Sequence, residues 1–117
     1  MNHKSETNIE NTKAQMRRGI LEFCILLVIS AGEAYVADIL TTLKKADLIV
    51  VEGTIYPLLT RMKNAGLVEY AWQESKSGPP RKYYSLTKEG TAFLQELETT
   101  WRALDESINV LVEKFKK

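Results

Sequence analysis

The feature that most constrains the fold is a set of apolar residues near the C-terminus, spaced alternately three and four positions apart. This spacing places them on one stripe of a long helix, in the a/d pattern of helices that pack against each other. The remainder of a 117-residue chain is too small to cover such a stripe, so we expect a second copy of the chain to cover it, forming a homodimer. The expected interface residues, which follow Leu94 along the stripe, are Leu97, Trp101, Leu104, Ile108, Leu111 and Phe115.

Composition argues against several classes of function. The single cysteine, Cys24, cannot form an intrachain disulfide or a zinc finger, and the single histidine, His3, leaves little for acid–base catalysis. No Gly-rich phosphate loop, zinc-ligand spacing or Ser/His/Asp set is present. We therefore expect no enzymatic activity, no metal site and no cofactor. Cys24 lies in an apolar run, which favours a small buried hydrophobe over a reactive thiol.

The apolar run itself, Phe23 to Ile29, is far shorter than the roughly 20 residues that a membrane span requires. It is internal, and charged residues precede it without a small-residue cleavage site. The sequence therefore predicts a cytoplasmic protein with no membrane partner.

Hydrophobic periodicity predicts three helices in the first half of the chain, over residues 11–31, 35–45 and 54–66. The polar residues 1–10 read as a flexible arm. Residues 46–51 are short and β-branched, which indicates either a connector or a brief strand. Arg17, in the first helix, either meets phosphates or solvates the helix.

The third helix separates its side chains into two faces. Ile55, Leu58, Leu59 and Met62 recur with helical spacing on the apolar face. The opposite face carries short polar groups, an aromatic residue and cations, which suit contact with phosphates and base edges, although a half-buried surface helix gives the same pattern. The expected DNA-contacting residues of this face are Thr54, Tyr56, Pro57, Thr60, Arg61 and Lys63.

After Gly66 the period changes to two, which predicts a β-hairpin with strands over 67–72 and 81–86 and a long tip over 73–80. Lys76, Arg81 and Lys82 form a patch of one charge sign, suited either to phosphate contact or to solvation of the tip. Thr87 is a plausible N-cap for the final helix, which we expect to end near Phe115.

Three blocks of the sequence resemble the PadR family of bacterial transcriptional regulators. They are EGTIYPLL at 52–59, RMKNAGLV at 61–68 and GPPRKYYSLTKEG at 78–90, and with the first helix the resemblance covers about residues 12–115. It implies a winged helix-turn-helix homodimer that binds a palindromic operator and usually represses transcription. It also implies that the third helix enters the major groove, that the hairpin wing touches the flanking DNA, and that the last helix pairs with the partner's first helix.

The single short C-terminal helix resembles the smaller subfamily, which includes multidrug-sensing repressors. In those members a tryptophan of the last helix lines a pocket at the dimer interface, and Trp101 falls at the matching place. Trp101 is therefore either an interface anchor or one half of a sandwich around a small aromatic effector.

The expected architecture is mainly α with a small β-hairpin. Residues 1–10 form the arm, residues 11–86 a winged helix-turn-helix domain that binds double-stranded DNA, and residues 87–117 a dimerisation helix. The alternative is a winged-helix module that binds protein without DNA, and the net charge of only +1 supports it. A basic stripe shared by the third helix, the wing and the N-terminus of the first helix would favour DNA, whereas a surface of mixed sign would favour protein.

Overall fold

The computed structural model describes residues 8–116, which form four helices and one two-stranded antiparallel hairpin. In chain order these elements are α1 (Ile9–Ser30), α2 (Val36–Lys45), α3 (Glu52–Asn64), β1 (Val68–Ser75), β2 (Gly78–Leu86) and α4 (Lys88–Lys114). The predicted fold class, mainly helical with a winged helix-turn-helix and a long last helix, is confirmed.

Helix α1 begins earlier than the sequence predicted. The side chain of Asn8 caps it by accepting hydrogen bonds from the amides of Glu10 at 2.8 Å and Asn11 at 3.3 Å. An N-cap of this kind satisfies amides that have no partner inside the helix. The last residues of the predicted arm are therefore part of the helix, while residues 1–7 lie outside the described part of the chain.

The prediction of a long hairpin tip is wrong. Strand pairing continues to Ser75 opposite Gly78, so only Lys76 and Ser77 separate the strands. The register shifts between Gln73 and Ser75, where the opposite strand contains the two consecutive prolines. Proline has no amide hydrogen to donate to a ladder, so an irregularity at this point accommodates both prolines without ending the hairpin.

A third stretch of backbone joins the wing, which no pattern in the sequence predicted. Ala34, between α1 and α2, pairs with Tyr84 of β2 through amide-to-carbonyl hydrogen bonds of 3.1 and 2.7 Å. This bridge ties the wing to the start of α2. The connector at 46–51 contains no strand.

The core lies where the first three helices meet the base of the wing and the first turns of α4. Of the apolar face predicted for α3, Ile55, Leu59 and Met62 are buried and Leu58 is partly buried, so this prediction is confirmed. The remaining core residues are Ile25, Leu26, Ile29, Ala34, Val36, Ile39, Leu43, Val68, Tyr84 and Leu94. Burial of its apolar face fixes the rotation of α3 and turns its opposite face outward.

The start of α4 is locked against the end of α3. The Thr87 hydroxyl donates to the carbonyl of Gly66 at 2.6 Å and accepts from the amide of Gly90 at 2.9 Å. Gly66 has φ of +80° and ends α3 as predicted. Leu94 is buried and Leu97 is half-buried against the core, and from Thr99 onwards α4 is exposed to its end.

Candidate nucleic-acid interface

All six side chains predicted to contact DNA from α3 are exposed. Because successive residues of a helix turn by about 100°, they divide into a middle and two flanks. Pro57 and Thr60 lie in the middle of the exposed arc, together with Asn64, which the predicted contact set omitted. Thr54 and Arg61 form the flank towards α1, and Tyr56 and Lys63 form the flank towards the wing.

On the α1 flank, Arg61 is already engaged. Its Nε lies 2.7 Å from Oε2 of Glu22 on α1, and a second guanidinium nitrogen contacts the same oxygen. Both nitrogens thus share one carboxylate oxygen, which holds the guanidinium against α1. As the protein stands, Arg61 contributes little free positive charge to the exposed face of α3.

Thr54 and Arg17 line a cavity of about 260 Å³ on this flank, between α1 and the connector at 46–51. Leu21 and Cys24 contribute to its apolar wall. Burial raises the pKa of the Cys24 thiol above its ordinary value, so the thiol stays protonated at neutral pH. This supports the interpretation of Cys24 as a packing residue. Arg17 is therefore grouped with α1 and the connector, not with the wing.

On the wing flank, cations from two elements share one aromatic ring. The ammonium of Lys63 on α3 lies 5.6 Å from the centre of the Tyr70 ring, and that of Lys82 on β2 lies 4.4 Å from the same centre. Lys82 is also 5.3 Å from the ring of Trp72. The attraction between a cation and an aromatic face orients both lysines without neutralising either charge. Tyr70 therefore brings the charge of the wing next to that of α3.

Tyr84 packs against the Tyr70 ring from the core of the protein. It is buried, and its ring lies 5.7 Å from that of Tyr70. Burial raises the pKa of the Tyr84 phenol, and the nearby phenols of Tyr56 and Tyr70 raise it further. A rigid neutral phenol in the core thus fixes the ring on which both lysines rest.

Arg81 is held on the other side of β2. Its guanidinium carbon lies 4.8 Å from the centre of the Tyr35 ring at the start of α2, and that ring meets Tyr83 edge-on at 5.1 Å. Among residues 8–116, Lys63, Arg81 and Lys82 have no carboxylate at ion-pair distance. All three cations remain available to an anionic partner.

A groove of about 630 Å³ runs between α3, the start of α2 and the wing. One acidic side chain, Glu52 in the first turn of α3, lines this groove together with the cations Arg81 and Lys82. Lys76 stands apart at the exposed tip of the hairpin. The groove is lined by Tyr35, Val36, Ala37, Glu52, Tyr56, Trp72, Pro80, Arg81 and Lys82.

The C-terminal stripe is exposed beyond Leu97. Trp101 is 40% exposed, and its shallow surroundings include the acidic residues Asp105, Glu106 and Glu113. The other exposed apolar residues of the predicted stripe are Leu104, Ile108, Leu111 and Phe115. Within the described chain nothing covers them.

Over residues 8–116, no group of three or more His, Cys, Asp or Glu side chains is placed to hold a metal ion. No helix within that range is long and apolar enough to cross a membrane.

A helix-turn-helix with an outward polar helix, a wing beside it and unpaired cations on both defines a winged-helix DNA-binding protein. The family comparison agrees, because residues 25–96 match the family model described as the transcriptional regulator PadR-like family. The chain belongs to this family of DNA-binding transcriptional regulators. Membership confirms the resemblance found in the sequence and the expectation that the protein is not an enzyme.

Solved relatives carry the same fold over most of the chain. A PadR-like transcription factor from Bacteroides fragilis is 56% identical, with a TM-score of 0.73, covering 86% of this chain and 98% of that one. A PadR-like transcriptional regulator from Bacillus cereus is 41% identical, with a TM-score of 0.76, covering 84% and 96% respectively. A PadR family transcriptional regulator from Eggerthella lenta is 28% identical, with a TM-score of 0.83, covering 96% and 98%.

Proposed function

We propose that the protein is a homodimeric repressor that binds a pseudo-palindromic operator through α3 and the wing. The observation that carries this proposal is the meeting of Lys63 and Lys82 on the ring of Tyr70. It makes the recognition helix and the wing one positively charged surface. DNA binding is assigned to residues 11–86 and dimerisation to residues 87–117.

In this proposal the outward arc of α3 enters the major groove. Thr60 and Asn64, in the middle of the arc, face the base edges, and the amide of Asn64 has the donor–acceptor pair that reads adenine. Phosphates are neutralised by Lys63 on α3 and by two cations of the wing, Arg81 and Lys82. Thr54, Tyr56, Pro57 and Lys76 extend the contact at its edges, while Arg17 and Arg61 reach the backbone on the α1 side.

The distribution of charge favours DNA over a protein partner. The net charge of the whole chain is only +1, but Lys63, Lys76, Arg81 and Lys82 lie on α3 and the wing with no carboxylate at ion-pair distance among residues 8–116, whereas α4 carries a run of carboxylates including Asp105, Glu106 and Glu113. The net charge is therefore near zero because the positive charge of α3 and the wing is offset by the negative charge of α4. The α3–wing region carries the local positive charge that DNA binding requires.

The exposed stripe of α4 supports the dimer. Leu104, Ile108 and Phe115 are each more than half exposed, and large apolar side chains aligned on one helix are stabilised when a partner removes them from water. A two-fold axis along α4 would repeat α3, and two recognition helices about 34 Å apart would read half-sites one DNA turn apart. By occupying its operator in the cytoplasm, such a dimer would block transcription.

Trp101 is the proposed site of an effector. Its ring is 40% exposed and lies near the carboxylates of Asp105 and Glu106. Across a two-fold axis, a pair of these rings would enclose a flat aromatic ligand, and the carboxylates would favour a cationic one. Quenching of tryptophan fluorescence by planar aromatic cations, lost in Trp101→Ala but retained in Trp72→Phe, is the expected result.

The DNA proposal is tested with the protein and DNA from upstream of its own gene, by fluorescence polarisation at several salt concentrations. A specific complex that weakens steeply with salt is expected, because each phosphate contact releases counterions. Lys63→Gln and Lys82→Gln should each lower the salt slope by about one. Lys44→Gln, a change of the same charge at the far end of α2, should leave the slope unaltered. Absence of any specific complex at moderate salt would overturn the proposal.

A further inference from the structure

Trp72 is a large apolar side chain that the fold leaves in water. It lies in the middle of β1, directly opposite Lys82, yet 61% of it is exposed. An indole ring is costly to leave exposed when a strand could present a polar residue instead. A single exposed aromatic residue is ordinary in a soluble protein, but the position and orientation of Trp72 are not.

Its position is the groove between α3 and the wing. Trp72 shares the lining of this groove with Tyr56 of α3 and with Arg81 and Lys82 of the wing. These cations are placed for phosphates, and the part of a nucleotide next to a phosphate is its deoxyribose, which is largely apolar. An indole in contact with Lys82, in a groove that Arg81 also lines, would therefore face a sugar of the same strand.

Its orientation is already fixed. The Tyr70 ring meets the indole edge-on at 6.2 Å with an angle of 88° between the rings, and the Lys82 ammonium lies 5.3 Å from the indole centre. Because these neighbours hold the ring, little side-chain freedom remains to be lost when DNA binds.

We propose that Trp72 is a DNA-contacting residue of the wing, with its indole packed against a deoxyribose of the backbone strand that Lys82 and Arg81 neutralise. The inference rests on the proposed DNA-binding function and adds an apolar contact that strengthens binding without reading sequence. It also separates the wing's two contributions, since the lysine acts through charge and the indole through apolar contact.

The test measures operator affinity and salt slope for Trp72→Ala, Trp72→Phe, Lys82→Gln and the double variant Trp72→Ala/Lys82→Gln. Trp72→Ala should lose about tenfold in affinity with the salt slope unchanged, and Trp72→Phe should lose less. The loss should persist in the Lys82→Gln background. DNA should also shift the indole emission of the unaltered protein, and the part of this shift due to Trp72 should be missing from Trp72→Phe.

Three outcomes overturn the inference while leaving DNA binding intact. They are affinity of Trp72→Ala within twofold of the unaltered protein, a loss that disappears in the Lys82→Gln background, and an emission shift unchanged in Trp72→Phe. The second outcome would show that Trp72 acts only by positioning Lys82. Far-ultraviolet circular dichroism of each variant confirms that the hairpin substitution leaves the fold intact. If the unaltered protein binds no DNA, the proposed function itself fails.

Discussion

The carboxylate of Glu22 on α1 accepts both hydrogen bonds that the Arg61 guanidinium directs towards it from α3. The pair joins α3 to α1, the helix that the family resemblance places in the dimer interface. The ion pair also engages Arg61, a cation that the sequence predicted to contact DNA. Two anions can therefore compete for Arg61, namely the Glu22 carboxylate and a DNA phosphate.

Removing the competing carboxylate should strengthen DNA binding. In Glu22→Gln the guanidinium is freed for a phosphate, so affinity should rise severalfold and the salt slope should steepen by about one. The same change made in an Arg61→Ala background should have no effect, which is measured by a double-mutant cycle on operator affinity. A fall in affinity for Glu22→Gln would show instead that Glu22 holds Arg61 in its binding position.

Glu52 gives a second electrostatic prediction. Its carboxylate lines the groove that Arg81 and Lys82 also line, where it would repel a phosphate bound as proposed. Glu52→Gln should bind the operator several times more tightly at low salt, with the gain fading as salt screens the charge. The same change removes a favourable carboxylate from the first turn of α3, which should cost about 0.3–1 kcal/mol of stability. Polarisation and thermal melting of one sample measure both effects, and unchanged affinity at low salt would remove Glu52 from the interface.

The sequence predicted those features of the fold that depend on local periodicity. The buried face of α3 follows from the spacing of Ile55, Leu59 and Met62, and the end of α3 follows from the left-handed conformation that Gly66 accepts easily. Each can be read within one or two helical turns. The hairpin tip was misjudged because consecutive prolines usually signal a loop, whereas here a register shift accommodates them.

The site depends on relationships that no local pattern contains. Glu22 and Arg61 are 39 positions apart, and their contact requires α1 and α3 to pack at one particular rotation. Lys82 reaches Tyr70 and Trp72 only because the hairpin register places it opposite Trp72. The sequence thus supplied candidate cations, while tertiary packing decides which of them are paired with acids and which are free.

The junction between the wing and α4 predicts a strong packing effect at Gly90. A Cβ built there would lie 1.9 Å from the backbone carbonyl oxygen of Leu67, and a backbone atom cannot move aside as a flexible side chain does. Gly90→Ala should therefore destabilise the protein by about 2–4 kcal/mol. Gly19→Ala is the control, because Gly19 lies within α1 with no atom near its would-be Cβ, and it should stabilise the helix by about 1 kcal/mol. Urea denaturation distinguishes them, and equal stabilities would contradict the close packing.

Asp47 is the one non-glycine residue with positive φ in the described chain, at 64°. It ends α2 with its amide donating to Lys44 at 2.9 Å, and the next amide, from Leu48, donates to Leu43 at 2.8 Å. This pair of bonds is a Schellman motif, whose left-handed position favours glycine. Asp47→Gly should therefore stabilise the protein by about 0.5–1 kcal/mol, and Asp47→Ala should not. Thermal melting ranks the three proteins, and destabilisation by glycine would contradict the backbone assignment.

The exposed apolar stripe of α4 predicts that a single carboxylate placed on it prevents dimerisation. Leu104 is 53% exposed in the single chain, so Leu104→Asp should leave each subunit folded. In the dimer, the two-fold axis would bury two carboxylates at once, each costing several kcal/mol in an apolar interface. The expected result is a folded monomer by light scattering at concentrations where the unaltered protein is a dimer, with operator binding greatly weakened.

Thr99→Asp is the matched control for that experiment, because it adds the same charge to the opposite side of α4. Thr99 is exposed, and its hydroxyl donates to the carbonyl of Gln95, one turn earlier. This variant should remain dimeric and bind DNA normally, since its charge stays in water. A Leu104→Asp protein with an undiminished dimer would place the interface elsewhere, and an unaltered protein that is monomeric at all concentrations would refute the dimer.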